Sequence, residues 1–376
     1  MTSKERKEKR FRNRQKKRRT NYQKVVAQTL SFEEAFSFEQ LNKAFYKCKK
    51  GVGWKQSIQK YEAKLYVNNL KLSEEVLSGK YKQRPFIEFD LMERGKKRHI
   101  RSIYIRDRIV QKSLCDNILI PLLSNGLIYD NGASIKGKGT IFAIDRVTKM
   151  LREHYKKYGS QGYVILGDFH SYFDSLDHNK IYEMLEKKIE DTRIINLIHE
   201  MLEPFGEKGL GLGSQVSQIL AVSYLNEFDH IISCKYGKPY VRYMDDFVIF
   251  CRNKEDAQKM LKVVKSEAQK AKLTLNENKT YILKATHRFT FLKTDYKISK
   301  TGKIIRMLTR SNVSKERIKL KKLAKMRDAG LITCEDMKIS YNSWKGYAKK
   351  KNAFKTIQCM DRLFDDLLIN KGVSHD

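Results

Sequence analysis

Three aspartates carry the clearest chemical signal in this sequence of 376 residues. Asp245 and Asp246 are adjacent between two apolar runs, where a tight turn ordinarily takes Asn-Gly or Asp-Gly. Asp168 ends a separate apolar run at residues 163–167. Paired carboxylates repel each other unless a cation offsets their charge, and hard divalent cations prefer oxygen ligands. The pattern favours a two-metal centre for phosphoryl transfer over a pair of exposed turn acids.

The segments around these acids predict the elements that position them. Tyr163–Gly167 is short and apolar, as a buried strand is, and Tyr240–Tyr243 and Phe247–Cys251 predict two strands joined by the acidic turn. Strand-like runs are also predicted at Leu273–Asn276 and Arg288–Leu292. Apolar periodicity predicts helices over residues 31–77, 106–123, 141–158, 179–187, 192–202 and 257–271, and from residue 314 onward.

Positive charge extends along the whole chain. Lys and Arg number 77 against 43 Asp and Glu, a formal charge of +34, which predicts nucleic acid as the partner. An anionic membrane surface is the alternative, but no apolar run approaches the roughly 18 residues of a spanning helix. Cations concentrate between Lys4 and Arg19, as an arm for nucleic acid or a solvated tail, and in a predicted hairpin at residues 81–111.

The six cysteines are far apart in the sequence and form no CxxC pair. We interpret them as reduced thiols, which predicts a cytoplasmic protein. Structural zinc is not expected, because zinc ligands cluster at short spacings. The N-terminal residues lack the apolar core of a signal peptide.

A family resemblance becomes visible when five motifs are taken in order. Tyr243–Asp246 reads YMDD, which resembles motif C of reverse transcriptases, the RNA-directed DNA polymerases. The other four matches are DFHSYFD at 168–174 for motif A, GSQVSQ at 213–218 for motif B, residues 275–280 for motif D and FTFL at 289–292 for motif E. A four-letter match alone is weak, but five motifs in the family's order are specific.

The resemblance implies an α/β right-hand polymerase fold with fingers, a palm of antiparallel sheet plus helices, and a helical thumb. We expect a basic N-terminal arm at 1–30, a helical extension and fingers at 31–160, a palm with motifs A to E at 161–300, and a basic helical thumb at 301–376. In the thumb, Ile318, Leu320, Leu323 and Ala324 are predicted to pack, and Trp344 is predicted to be a buried anchor or a nucleic-acid contact.

The same resemblance implies the catalytic roles. Asp168 and Asp245 would be the principal ligands of two Mg²⁺ ions, and Asp246 would assist them. Lys279 resembles the motif D lysine that can protonate the pyrophosphate leaving group, although an ordinary surface lysine is the alternative.

Four residues are implied to bind the dNTP. Lys96 and Arg98 on the predicted hairpin would grip the triphosphate, unless they form a solvated face. Phe173 falls where the family keeps an aromatic that blocks a ribose 2′-hydroxyl, with core packing as the alternative. Gln218 belongs to motif B, which packs beside the nascent base pair.

Motif B also indicates a subtype. Leu212 precedes the motif B glycine and Gln218 stands where many relatives have Pro, a pattern that resembles the bacterial or phage reverse transcriptases of diversity-generating retroelements. That subtype implies cDNA synthesis with errors at template adenines, a structured template RNA and a small basic accessory variability protein. The alternatives are a retron-like or antiphage-defence reverse transcriptase and, from another class, an RNA-binding maturase-like protein.

Overall fold

The computed structural model describes residues 22–93, 96–211, 213–299 and 301–369, together with residues 9, 13, 16 and 20. Within the hairpin, the side chains of residues 93, 96 and 98 lie outside this description. The chain divides into two compact units. The first unit comprises residues 1–139, 169–237 and 263–276, and the second comprises residues 140–168, 238–262 and 277–376.

Groups of helices are interspersed with groups of strands along the chain. The helices are α1 Phe32–Ala35, α2 Phe38–Lys49, α3 Gln56–Glu62, α4 Leu65–Leu77, α5 Ile105–Leu114, α6 Ile120–Ser124, α7 Thr140–Tyr158, α8 Tyr172–Ser175, α9 His178–Glu186, α10 Thr192–Leu202, α11 Gln215–Tyr224, α12 Asn226–His230, α13 Lys254–Lys270, α14 Arg310–Asp328, α15 Cys334–Lys349 and α16 Phe354–Ile369. The strands are β1 Ile87–Glu93, β2 Lys96–Ser102, β3 Tyr163–Gly167, β4 Tyr240–Tyr243, β5 Asp246–Cys251, β6 Tyr281–Lys284, β7 Phe289–Phe291, β8 Thr294–Ile298 and β9 Ile304–Leu308. These elements belong to an α/β protein whose named strand pairs are all antiparallel.

The first unit is mainly helical, with one two-stranded hairpin. Strands β1 and β2 pair antiparallel from Ile87↔Ser102 to Glu93↔Lys96. One face of this hairpin carries ion pairs, including Lys97 with Asp90 at 2.9 Å and Arg101 with Glu88 at 3.0 Å. Helix α11 begins after Ser214, whose hydroxyl accepts the N–H of Ser217 and caps the first turn. This cap fixes where the motif B helix starts.

The second unit contains a four-stranded sheet in the order β4-β5-β3-β6. Helix α7 covers one face of this sheet. The buried residues that pack together there are Ala143, Ile144, Val147, Met150 and Leu151 of α7 with Val164, Leu166, Val241, Val248 and Phe250 of the strands. This core holds the ends of β3, β4 and β5 in fixed positions.

A smaller sheet, in the order β7-β8-β9, shares that core through Phe289, Phe291 and Tyr296. The three C-terminal helices form a second cluster around Leu320, Met337, Tyr341 and Trp344. Trp344 is buried, and its indole N–H donates to Oδ1 of Asn312 at 2.9 Å, which confirms the interpretation as an anchor.

Three sequence expectations differ from the structure. Ile318 was expected in the packed face of its helix but is exposed, because the apolar stripe runs through Leu320 and Ala324 instead. Residues 273–276 form no strand, since Leu275 makes only an isolated bridge with Phe169. Strand β9 occupies a region expected to belong to the helical thumb. The predicted strands at 163–167, 240–243 and 247–251 are confirmed.

Strands β6, β8 and β9 gave too little sequence signal to be predicted, because each is short and mixes polar with apolar residues. The basic arm from Lys4 to Arg19 falls outside the described residues, apart from isolated positions. Among the helices that the structure describes, none combines the length and apolar character that crossing a membrane requires. All six cysteines are free thiols.

Candidate active site

The paired acids lie at a two-residue hairpin turn, with Asp245 in the turn and Asp246 directly after it. Strands β4 and β5 pair up to Tyr243↔Asp246, so Met244 and Asp245 alone make the turn. Met244 has φ 56°, a left-handed backbone conformation that residues other than glycine adopt at a cost in free energy. Arg242, which is fully buried, donates from its guanidinium to the Met244 carbonyl oxygen at 2.9 Å. The buried guanidinium therefore holds the strained turn in place.

Strand register brings Asp168 to this turn. Strand β3 pairs with β5 through Gly167↔Phe247 and with β6 through Leu166↔Tyr281. Extended by one residue, the first register sets Asp168 opposite Asp246. Extended by two residues, the second register sets Asp168 opposite Lys279. Gly167 is required here, because a Cβ at this position would overlap the Phe247 ring.

Direct contacts follow the register. The Nζ of Lys279 lies 2.9 Å from Oδ2 of Asp168, and the Asp246 carboxyl makes a side-chain hydrogen bond with Asp168. The backbone N–H of Asp168 donates to Oγ1 of Thr280 at 3.4 Å. Asp168 is only 4% exposed, so its carboxyl group is surrounded by these partners rather than by water.

The acids perturb one another. Burial, the charge of Asp245 and the hydrogen bond with Asp168 together raise the pKa of Asp246 to about 7. Burial and then the Asp168 charge raise the pKa of Asp245. The hydrogen bond to Asp168 raises the pKa of Lys279. Three acids in one partly desolvated place carry more negative charge than one lysine offsets, which is a typical feature of a functional site.

A cavity of about 540 Å³ opens at these residues. Its lining combines the acids with two turns and the edge of the smaller sheet: Thr140, Leu166, Gly167, Asp168, Tyr243, Asp246, Phe247, Asn278, Lys279, Tyr281, Thr290, Phe291, Leu292 and Lys293. Motifs A, C, D and E of the sequence therefore meet at one cavity of the second unit.

The donor set fits a hard divalent cation in its chemistry, since carboxylate oxygens are the ligands that Mg²⁺ prefers. Within the described ranges, no three acidic, His or Cys side chains are grouped closely enough to hold one ion. Lys279 offsets part of the negative charge, and Asp168 and Asp246 share a side-chain hydrogen bond.

The remaining sequence-predicted residues belong to the first unit. Phe173 is half-buried, its ring lies edge-on to Tyr172 at 5.9 Å, and its carbonyl oxygen accepts the Leu210 N–H at 2.8 Å. Gln218 is exposed on the first full turn of α11. Leu212 and the side chains of Lys96 and Arg98 lie outside the described part of the chain.

Sequence reasoning missed two residues of the site, Arg242 and Thr280. An arginine inside the apolar run 240–243 is a signal in itself, because a fully buried guanidinium must satisfy its donors locally. Thr280 has no comparable signal, since its contact with Asp168 depends on the pairing of β3 with β6.

Comparison with known proteins finds relatives that match different lengths of this chain. Protein YkfC of Escherichia coli (strain K12) is 24% identical over 278 residues, which cover 61% of this chain and 71% of that protein. An uncharacterized 91 kDa protein in the cob intron of Schizosaccharomyces pombe is 34% identical over 91 residues, which cover 22% of this chain and 11% of that protein.

Among solved structures, an apo telomerase from Candida tropicalis, truncated from its C-terminal domain, is 18% identical with a TM-score of 0.42. The match covers 64% of this chain and 60% of that telomerase chain, so this protein spans less than two thirds of its length.

The family comparison covers most of the motif-bearing region. Residues 82–294 match the family described as reverse transcriptase (RNA-dependent DNA polymerase). That range exceeds half of the 376 residues and includes motifs A, B, C and D and the β7 strand of motif E. The expected right-hand polymerase fold of helices and antiparallel sheets is confirmed by this match. The chain therefore belongs to the reverse transcriptase family of RNA-dependent DNA polymerases.

Proposed function

We propose that this protein synthesises cDNA on an RNA template by two-metal phosphoryl transfer, with Asp168, Asp245 and Asp246 as the metal-holding residues. The observation that carries the proposal is the register of strands β3, β4 and β5. It sets Asp168 beside Asp246, and Asp246 is the first residue after the Met244–Asp245 turn. Carboxylates from separate strands that share a partly desolvated edge are the donor set such a centre needs.

Two Mg²⁺ ions, when bound, would activate the primer 3′-hydroxyl and offset charge on the triphosphate. The protein's own part is to hold the three carboxylates in a rigid frame and to keep water from most of Asp168. Arg242 fixes the turn that carries Asp245. Lys279 supplies a cation at the same edge and is proposed to give a proton to the departing pyrophosphate.

The proposed substrates are a template RNA, a DNA primer or growing cDNA, and dNTPs. The formal charge of +34 suits a polyanion bound through its phosphates. We keep Lys96 and Arg98 as the proposed triphosphate contacts and Phe173 as the proposed barrier to a ribose 2′-hydroxyl, as the family resemblance implies. The division into arm, fingers, palm and thumb also stays a proposal. A cytoplasmic location rests on the six free thiols.

The test is incorporation of each dNTP on a primed RNA template with Mg²⁺. Asp245→Ala should abolish extension, whereas Glu153→Gln, which removes an exposed carboxylate of α7, should leave it unchanged. Extension that persists in Asp245→Ala would overturn the proposed mechanism. No extension by the unaltered protein with its own RNA would instead favour an RNA-binding, maturase-like protein.

The finer proposal is an error-prone enzyme of a diversity-generating retroelement, working with a small basic accessory variability protein. Its support is the motif B sequence at Leu212 and Gln218. Gln218→Pro would remove one hydrogen bond in the first turn of α11, the 3.3 Å bond from the Gln218 N–H to the Ser214 carbonyl oxygen. The double change Leu212→Gln with Gln218→Pro should lower misincorporation opposite template adenine. Equal error rates would contradict this proposal, and faithful copying by the unaltered protein would favour a retron-like or antiphage-defence enzyme.

A further inference from the structure

The turn between β7 and β8 has an unusual backbone. Phe291 pairs with Thr294, so Leu292 and Lys293 alone form the turn. Both are left-handed, with φ 47° and 57°. A hairpin turn with two left-handed residues ordinarily takes Asn-Gly, Asp-Gly or Gly-Gly. Two long side chains therefore occupy a conformation that the surrounding structure must enforce.

Two residues of the C-terminal helical region contact this turn directly. The hydroxyl of Tyr347, in the last turn of α15, donates to the Lys293 carbonyl oxygen at 3.2 Å. The Nζ of Lys351 donates to the same oxygen at 3.2 Å and to Oγ1 of Thr294 at 2.5 Å. We call Tyr347 and Lys351 the turn clamp.

The clamp is itself tied together. Nζ of Lys351 lies 2.7 Å from the Tyr347 hydroxyl oxygen and 4.3 Å from the centre of its ring, which is a cation–π contact. Next to it, the Asn352 N–H donates to the Arg306 carbonyl oxygen at 2.7 Å. The segment after α15 is thus fixed to β9 as well as to the turn. Burial lowers the pKa of Lys351 to about 8, so the ammonium is held there at a cost in solvation.

The clamped turn is also a wall of the candidate active site. Leu292 and Lys293 line the same cavity of about 540 Å³ as Asp168, Asp246 and Lys279. Any change in the turn backbone would alter the shape of the cavity beside the acids.

We propose that Tyr347 and Lys351 are positioning residues that hold the Leu292–Lys293 turn left-handed and thereby fix the cavity wall beside the carboxylates. This inference rests on the proposed polymerase function. The clamp compensates for the absence of glycine at Leu292 and Lys293, because a hairpin turn with two left-handed residues ordinarily includes one. The C-terminal helices therefore act on catalysis through the turn, beyond any contact they make with nucleic acid.

The experiment is a double-mutant cycle between the clamp and the turn. Lys351→Met keeps the apolar stem and removes the donors, and Tyr347→Phe removes one hydroxyl only. Each should lower kcat about tenfold or more, since misplacement of a reacting group by about 1 Å can cost 100-fold. The KM for dNTP should stay unchanged. Lys350→Met, at an exposed neighbouring lysine, should have no effect.

The cycle is closed with Lys293→Gly. Glycine adopts the left-handed conformation without help, so Lys351→Met should cost little kcat when Lys293→Gly is already present. Hydrogen exchange of residues 289–296 should rise in Lys351→Met, and less so in the double variant. If Lys351→Met and Tyr347→Phe match the unaltered protein in kcat and exchange, the inference fails. It also fails if Lys293→Gly gives no rescue, because the clamp then serves packing alone. An unaltered protein without extension would refute the polymerase proposal, while the exchange data still decide whether the turn is clamped.

Discussion

The Nζ of Lys279 lies 2.9 Å from Oδ2 of Asp168, so residues of motifs D and A form an ion pair at the mouth of the main sheet. The lysine side chain is largely exposed, whereas the aspartate side chain is buried. An exposed cation thus lies beside a buried carboxylate. Because the ammonium is exposed, displacing it would not disturb the core, which suits the proposed role of Lys279 as a proton donor.

Lys279→Met should reduce the single-turnover rate of dNTP incorporation by about 100-fold, the lower range of what a general acid contributes. The rate of Lys279→Arg should fall between those of the unaltered protein and of Lys279→Met, because arginine keeps the charge but gives up its proton far less readily. Lys284→Met, at an exposed lysine of β6, is the matched control. Rapid-quench kinetics would measure the rates. An unchanged rate in Lys279→Met would show that Lys279 is an ordinary surface lysine without a role in the reaction.

Asp246→Asn should stabilise the metal-free protein while it abolishes incorporation. Removing one of three acids relieves repulsion in a partly buried place and should raise the free energy of unfolding in EDTA by about 1 kcal/mol. Mg²⁺ should raise the melting temperature of the unaltered protein and not that of the variant. Thermal unfolding with and without Mg²⁺ checks this, with Glu153→Gln as control. A destabilised variant would mean that Asp246 serves the fold rather than the site.

Phe173→Ala should weaken the preference for deoxyribonucleotides. If the ring excludes a 2′-hydroxyl, its loss should raise kcat/KM for a ribonucleotide relative to the matching dNTP by about tenfold or more. Phe173→Tyr keeps the bulk and should keep the preference. Competing dATP and ATP on one template measures the ratio. An unchanged ratio together with lower stability would leave Phe173 as a packing residue.

His154 should make stability depend on pH. Burial lowers the pKa of His154 from 6.5 to about 4. Between these pH values the histidine is protonated in the unfolded chain and neutral in the folded protein. The contribution of neutral His154 to the free energy of unfolding is fully present above pH 6.5. It is lost as the pH falls toward 4, by roughly 3 kcal/mol in total. His154→Gln cannot titrate and should flatten the curve over this range. Urea unfolding of both proteins gives the difference, and parallel curves would contradict the assignment.

The sequence predicted much of the site because the relevant signals are local. Tyr240–Cys251 encodes a hairpin through two apolar runs and a polar turn, and Tyr163–Gly167 encodes a buried strand. These patterns need only neighbouring residues to be recognised. Arg242 was not predicted as a site residue, although an arginine inside an apolar run is a local signal. Tyr347 and Lys351 of the turn clamp were not predicted, because their contacts with the Leu292–Lys293 turn exist only in the folded chain.

The sequence by itself determined that acids stand at the ends of β-strands and in a tight turn, since period-two patterns and turn residues act over a few positions. Only the tertiary structure decided that Asp168 pairs with Asp246 and Lys279. Strand pairing has a register that must bury one face, and a shift of a single residue would turn every side chain of β3 to the other side. The core that α7 shares with β3, β4 and β5 sets that register, and no local pattern in the sequence contains it.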